Sequence, residues 1–423
     1  MLQLTIVRAN PDEIIKRLAK KNFDAKEAVA KICSLDDERK ATQKMNDDLL
    51  AQINATSKEI GALMKEGKKD EAEKAKLTVA KFKEETKIHS EKLTEIEKEL
   101  HNVLVRLPNI PAEIVPEGKE PADNLTVKEV GAKPNLPTDA KPHWDLIQQY
   151  DIIDFELGNK ITGAGFPVYK GAGAKLQRAL ISFFLDNAIA AGYHEIQPPL
   201  LVNADTGYGT GQLPDKDGQM YFVNEDGLYL IPTAEVPVTN IYRDVILKES
   251  DLPKKNCAYS LCFRREAGSY GKDVKGLNRL HQFDKVEIVR IEHPDNSYNV
   301  LDEMVLHVES LLQQLELPYR ILRLCGGDMS FASALTYDFE VWSGAQQRWL
   351  EVSSVSNFET FQSNRMKLRF KDANGKTQLA HTLNGSALAL PRIVASLLEN
   401  NQTVEGIKIP KALQNYFGSS VLK

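Results

Sequence analysis

Cysteine is scarce and scattered in this chain. The four thiols, Cys33, Cys257, Cys262 and Cys325, form no C-x-x-C pair, and no compact Cys/His group has zinc-ligand spacing. Buried or incidental thiols in a reducing compartment are expected, and no zinc. No apolar run approaches the roughly 18 residues of a membrane span. The opening MLQLTIVRANPDEI also lacks the basic-then-apolar order of a secretory signal. These absences predict a soluble, cytoplasmic chain with no membrane partner. Excess charge is missing too. A net charge of −5 neither demands a nucleic acid nor excludes one, because a local patch outweighs the total. No G-x-x-x-x-G-K-[ST] occurs, which rules out a P-loop. The clusters GAGF (163–166) and GAGA (171–174) do not complete G-x-G-x-x-G, so a dinucleotide fingerprint is unsupported. If a nucleotide binds, arginines must cradle its phosphates.

What is present divides the chain. With 423 residues, 42% of them hydrophobic, it can bury a sizeable core, and two domains are expected. In residues 1–110, positions 32, 35, 39, 42, 46, 49, 53, 56, 60 and 63 keep a 3,4 spacing. So do Val79, Phe82, Thr86, His89, Leu93, Ile96, Leu100 and Val103. Gly67-Lys68-Lys69-Asp70 is a turn signal between the two runs. The spacing predicts an antiparallel coiled-coil hairpin whose helices, some 35 residues each, reach about 50 Å. Its seam is too thin for a globular core, so the hairpin should project as an arm. The arm is charge-balanced, with lysines gathered towards its tip at Lys65, Lys68, Lys69, Lys74, Lys76, Lys81 and Lys83. Taken alone, the heptads fit a dimerisation or spacer coil better, although the lysines also suit phosphate contacts. Residues 111–142 then read as a proline-rich linker.

From 143 to 423 the pattern becomes mixed. An amphipathic helix at 173–191, a strand at 193–197 and short strands at 220–223 and 227–231 come first. A helix opening near Thr233 and a hairpin over 258–291 follow. A helix at 295–314 and strands at 319–325, 337–342 and 349–355 lead to LNGSALALPRIVASLLENNQ. There Pro391 suits the first turn of a helix, which puts Arg392 at the helix entrance. Successive antiparallel strands with helices between them predict an α+β fold, not a doubly wound parallel sheet.

The hairpin holds the densest chemistry. Strands at 258–266 and 280–291 would flank a mobile basic loop punctuated by Gly268, Gly271 and Gly276. Period-two alternation places Cys262, Arg264 and Glu266 on one face, and Phe283, Lys285 and Glu287 on the facing one. An arginine, an aromatic ring and two carboxylates could hold a nucleoside triphosphate and an ammonium together. Taken alone, FRRE fits the solvent face of an ordinary hairpin better.

FRREAG, RLHQFDKVEIV and HTLNGSALALPR resemble motifs 2 and 3 of the class II aminoacyl-tRNA synthetases. The closer resemblance is to the seryl-tRNA synthetase family of bacterial type. The arm, GYHEIQPPLLV, GTGQLP, YLIPTAEVPVTN, YDFEVW and EVSSVSNFETFQSNR extend it over essentially the whole chain. The resemblance implies a coiled-coil tRNA-binding arm and an antiparallel-sheet catalytic domain flanked by helices. It also implies activation of L-serine with ATP and transfer of the seryl group to tRNA(Ser), with the selenocysteine tRNA a further candidate acceptor. Arg264 and Arg392 would be the catalytic pair. Thr233, Ala234, Glu235, Arg264, Glu287, Thr382, Asn384 and Ser386 would bind serine. ATP would meet Arg264, Arg265, Glu266, Arg279, Phe283, Glu351, Val352, Ser353, Ser354 and Arg392, and Glu351 and Ser354 would carry Mg²⁺. A homodimer with an interface around 189–201 is implied, and no DNA partner. FRREAG stands where FRSEAG is common, NGSALALPR where NGSGLAVGR is, and FQSNR where FQARR is. These departures keep the charged anchors and bear on loop geometry.

Overall fold

A computed structural model describes residues 1–136, 138–215, 218–266 and 275–423. The expected loop glycines Gly268 and Gly271 lie outside them. The chain separates into two compact units, one of residues 2–19 and 23–108, the other of Met1, 20–22 and 109–423.

The first unit is helical throughout. Two short helices, α1 (Leu4–Ala9) and α2 (Pro11–Ala19), precede the long α3 (Lys26–Lys65) and α4 (Lys69–Leu104). At 40 residues, α3 is about 60 Å long, longer than the periodicity alone predicted. Gly67 turns the chain between them at φ +78°, a conformation that costs glycine little. Lys31 pairs with Glu99, and Lys92 with Glu38 at 2.8 Å. Seven residues up one helix thus answer to seven down the other, which fixes an antiparallel register. Every position of the 3,4 series is buried or half-buried, while most residues between them face water. Polar members lie in that seam as well: Thr42 and Asn46 are buried. Asp36, one position off the series and buried, is neutralised by Arg8, Arg39 and Lys40 at 3.3, 2.8 and 2.7 Å. A buried carboxylate is tolerated when paired in this way.

The second unit is built on an eight-stranded sheet. Its strands in chain order are β1 (Leu125–Val130), β2 (His194–Glu195), β3 (Lys254–Phe263), β4 (Gln282–Glu292), β5 (Tyr319–Arg323), β6 (Leu335–Ser343), β7 (Arg348–Asn357) and β8 (His381–Ala389). In space they run β1-β5-β6-β7-β8-β4-β3-β2. Every neighbouring pair is antiparallel except β2 with β3. The helices of this unit that bear on the site are α5 (His143–Gln149), α6 (Gly171–Ala190), α7 (Glu235–Asn240), α8 (Ser297–Gln314), α9 (Phe361–Met366) and α10 (Leu390–Asn400). Phe183 and Phe184 of α6, Met304 and Val308 of α8 and Ile393 and Leu397 of α10 share one core with Val286, Ile288, Phe339 and Val355 of the sheet. One face of β4 therefore belongs to the helical layer. The other face, bearing Phe283, Lys285 and Glu287, is left for chemistry.

Two local differences from the sequence reading have physical causes. The stretch read as linker contains β1, an edge strand with five of its six residues exposed. Its side chains carry no core-facing alternation to read. The first hairpin strand ends at Phe263, so Arg264 and Glu266 lie beyond it instead of sharing its face with Cys262. Arg264 N still donates to His281 O at 2.9 Å, but Arg265 N turns away to Gln219 O. Glu266 then takes φ +48°, which no strand continues through.

Candidate active site

The centre of the site follows from the register of β4 with β8. Glu287 stands opposite Ser386, Val289 opposite Asn384 and Ile291 opposite Thr382. Paired residues share a face, so Glu287, Ser386, Asn384 and Thr382 rise from one side of the sheet. Over them lies the segment Thr233-Ala234-Glu235 that opens α7. Asn384 Nδ2 donates to Glu235 Oε2 and to Glu287 Oε1, each at 2.9 Å. The Thr233 hydroxyl donates to Glu287 Oε2 at 3.3 Å and accepts from Glu235 N at 3.2 Å. Ser386 Oγ is 3.5 Å from Glu287 Oε2.

Two further side chains complete this cluster, and neither was singled out as a site residue. Gln362, from α9, donates to Glu235 Oε1 at 2.7 Å, and its own Oε1 accepts from the Thr382 hydroxyl at 2.7 Å. The ammonium of Lys285 pairs with Glu287. Lys285 had a sequence signal, since alternation put it on the face of Glu287. Gln362 had only its place in FQSNR. Burial, and then the nearby charge of Glu287, push the Glu235 carboxyl up to about 7. The cluster thus holds two buried carboxylates with one lysine and several fixed donors. Ala234 packs with Val238, Ala258 and Val289, which leaves only its backbone to meet a ligand.

A second, more open region adjoins this one. The Arg264 guanidinium lies 5.1 Å from the centroid of the Phe283 ring, and its Nε donates to Pro232 O at 3.4 Å. Glu266 and Arg279 form an ion pair at 2.9 Å. Arg392, in the first turn of α10, donates from Nη1 to Glu351 O at 2.6 Å and from Nε to Asn278 O at 3.2 Å. The same Nη1 is 3.6 Å from the half-exposed Glu351 carboxylate.

Glu351 and Ser354 are three apart, which in a regular strand sends side chains to opposite faces. The register of β6 with β7 slips between Phe339 and Glu340, where Ser353 and Glu351 are the successive partners. This bulge at Val352 restores a common side. Val352 itself is in the core, and Ser353 turns inward to donate to Ser386 O at 2.5 Å. Asp338, paired with Ser354 across the sheet, was not anticipated. Burial first, and the charge of Glu351 second, raise its carboxyl well above the usual range. Its Oδ1 is buried and has no hydrogen-bond partner among the described residues. Among the described residues no group of three or more His, Cys, Asp or Glu side chains forms a metal cage.

Comparison with known proteins gives a consistent result. Residues 221–401 match the tRNA synthetase class II core domain (G, H, P, S and T), and residues 1–111 match the Seryl-tRNA synthetase N-terminal domain. A serine–tRNA ligase of Salinibacter ruber is 50% identical over 420 residues, covering 99% of this chain and 98% of its own. The seryl-tRNA synthetase of Pyrococcus horikoshii, solved with ATP, superposes with a TM-score of 0.94 at 32% identity, covering 100% of this chain and 99% of its own. The cytoplasmic serine–tRNA ligase of Naegleria fowleri, solved with AMP, gives 0.89 at 27% identity with the same coverage.

Proposed function

The chain belongs to the seryl-tRNA synthetase family, and on that premise we propose that it activates L-serine with ATP and passes the seryl group to tRNA(Ser). The observation that carries the serine assignment is the bridged pair Glu235 and Glu287, with fixed donors around it. Serine offers an ammonium, a carboxylate and one hydroxyl. The ammonium needs a carboxylate, which Glu235 or Glu287 supplies. The hydroxyl needs hydrogen-bonding partners, for which Thr233, Thr382, Asn384 and Ser386 stand on the same face. A site that leaves these groups unpaired without the hydroxyl rejects alanine more strongly than an apolar slot would.

Adenylate formation is attack of the serine carboxylate on the α-phosphorus of ATP, with pyrophosphate leaving. No general base is required, so catalysis rests on alignment and on charge placed where charge develops. Arg264 lies between the serine cluster and the Phe283 ring, and its planar fork suits both the carboxylate and the α-phosphate. In this reading adenine stacks on Phe283, Glu266 and Arg279 flank the nucleotide, and Arg392 holds the terminal phosphates.

Glu351 and Ser354 would hold magnesium. The donors there are oxygens, with the Oδ1 of Asp338, unpartnered among the described residues, beside them, and a hard cation that takes oxygen ligands would fit such a set. When bound, the ion neutralises phosphate charge. The arm would grip tRNA(Ser) by shape and backbone, with the selenocysteine tRNA a second acceptor to test. Ile189 and Leu201, 45% and 41% exposed, suit the interface of a homodimer, which sedimentation would detect.

The direct test is charging of purified tRNA(Ser) with labelled serine, with one AMP and one pyrophosphate formed per seryl-tRNA. Charging with serine and none with threonine or alanine supports the reading. Serine-dependent AMP formation without any tRNA product would overturn the acceptor.

A further inference from the structure

A buried network outside the substrate cluster reaches the nucleotide region from behind. His143, the first residue of α5, is fully buried, and so is Glu399 near the end of α10. Glu399 Oε1 accepts from His143 N at 3.0 Å, from Gln346 Nε2 at 3.0 Å, and meets His143 Nδ1 at 2.7 Å. Its other oxygen accepts from the Ser343 hydroxyl. Burial alone would raise this carboxyl, but the hydrogen bonds from His143 and Ser343 outweigh it and hold the group below its ordinary value. The far side of the imidazole faces the chain that enters β4. Leu277 N donates to His143 Nε2 at 2.9 Å. That bond requires an unprotonated Nε2, so the ring is neutral, with its proton on Nδ1 toward Glu399.

The segment held in this way also supports the proposed phosphate contacts. Asn278, next to Leu277, gives its carbonyl to Arg392 Nε at 3.2 Å and its amide to Gln346 Oε1 at 3.2 Å. Arg279 follows, paired with Glu266. Just upstream, Lys275 Nζ lies 4.6 Å over the ring of Trp144, the neighbour of His143. Gly276 has φ +66°, and a Cβ there would come within 2.3 Å of His143 Nε2. The approach of this segment to the imidazole therefore excludes any side chain at 276.

We propose that His143, oriented by Glu399, is a positioning residue for ATP: it fixes the amide of Leu277 and so sets where Asn278 and Arg279 meet Arg392. One imidazole does this because it donates at one nitrogen and accepts at the other, which links helix α10 to the chain entering β4 by two bonds. Leu277 is 1% exposed, so its amide has no water to fall back on when the acceptor is removed. The proposal deepens the ATP assignment above and rests on it. Serine is assigned to the cluster around Glu235, Glu287 and Asn384, to which none of these hydrogen bonds runs, so its binding should be nearly indifferent to His143.

The test is serine-dependent ATP–pyrophosphate exchange with wild type, His143→Phe, His143→Gln and Gly276→Ala, together with amide exchange of the peptide covering 275–281. His143→Phe and Gly276→Ala are each expected to raise the KM for ATP about tenfold, the scale of one lost buried acceptor, with the KM for serine within about twofold. Both should speed amide exchange at Leu277. Glutamine, which both accepts and donates, is expected to recover most of the loss. If His143→Phe does not fold, Gly276→Ala strains the same contact from the other side and decides the matter. Unchanged ATP KM in a folded variant, or equal loss for both substrates, would overturn the proposal. Absence of exchange in wild type would instead overturn the activity it rests on, and dialysis against labelled ATP would then compare the variants.

Discussion

Glu235 Oε2 and Glu287 Oε1 accept from one and the same amide nitrogen, Asn384 Nδ2, each at 2.9 Å. Two buried carboxylates held this close repel each other when both are ionised. Lys285 offsets Glu287 directly, whereas among the described residues the Glu235 carboxylate accepts hydrogen bonds from the neutral amides of Gln362 and Asn384.

The first expectation concerns pH. The Glu235 carboxyl is raised from 4.5 to about 7, so the native state keeps its proton over a range where the unfolded state has lost it. The stability this contributes is complete below the unfolded value and is lost as pH rises towards 7. Wild type should therefore lose stability relative to Glu235→Gln between pH 5 and pH 8, read by denaturant midpoints at each pH. If Glu235 receives the serine ammonium in its ionised form, kcat/KM for serine should rise about tenfold per pH unit below that value and level off above it. In Glu235→Gln the residual activity should show no such rise.

Arg264→Ala should lose about 3 kcal/mol of transition-state stabilisation, the scale of a missing oxyanion donor. Its kcat/KM in serine-dependent exchange should fall by about two orders of magnitude. A loss below about tenfold would remove Arg264 from the role.

Glu351→Gln should raise the magnesium concentration for half-maximal exchange by about tenfold, since one of few hard donors is weakened. The KM for serine should be unchanged at saturating magnesium. An unaltered magnesium curve would move the ion elsewhere, with Asp338 the next group to test.

The arm should be separable from the chemistry. Lys92 pairs with Glu38 at 2.8 Å, so joining the helices just beyond that pair by a short glycine-rich turn shortens the arm while keeping its base. Removing residues 42–88 in this way should abolish charging of tRNA(Ser) and leave serine activation within about twofold, since the residues assigned to serine and ATP all belong to the other unit. A parallel fall of both activities in a folded protein would contradict a separate tRNA-binding module.

Much of this could be read from the sequence, and what could not has physical reasons. The coiled-coil seam was legible because a 3,4 period survives even where Thr42 and Asn46 interrupt it. The start of α10 was legible because Pro391 is compatible only with a first turn. Strand alternation placed Lys285 and Glu287 together correctly. It failed at Arg264 and Glu266, because the strand stops where Glu266 takes a left-handed conformation, and alternation carries no warning of that. The bulge at Val352 was equally silent, although it is what lets Glu351 and Ser354 face one way. Gln362, Asp338 and His143 act through partners more than a hundred residues away or across the sheet. Only the folded chain brings those partners within reach.

The central claim is that the cluster around Glu235, Glu287 and Asn384 is a serine pocket coupled to ATP chemistry. The measurement that tests it most directly is ATP–pyrophosphate exchange with each of the twenty amino acids in turn, without tRNA. Exchange supported by serine, and by no other amino acid to a comparable rate, is the expected result. Exchange driven by a different amino acid, or by none, would contradict the claim.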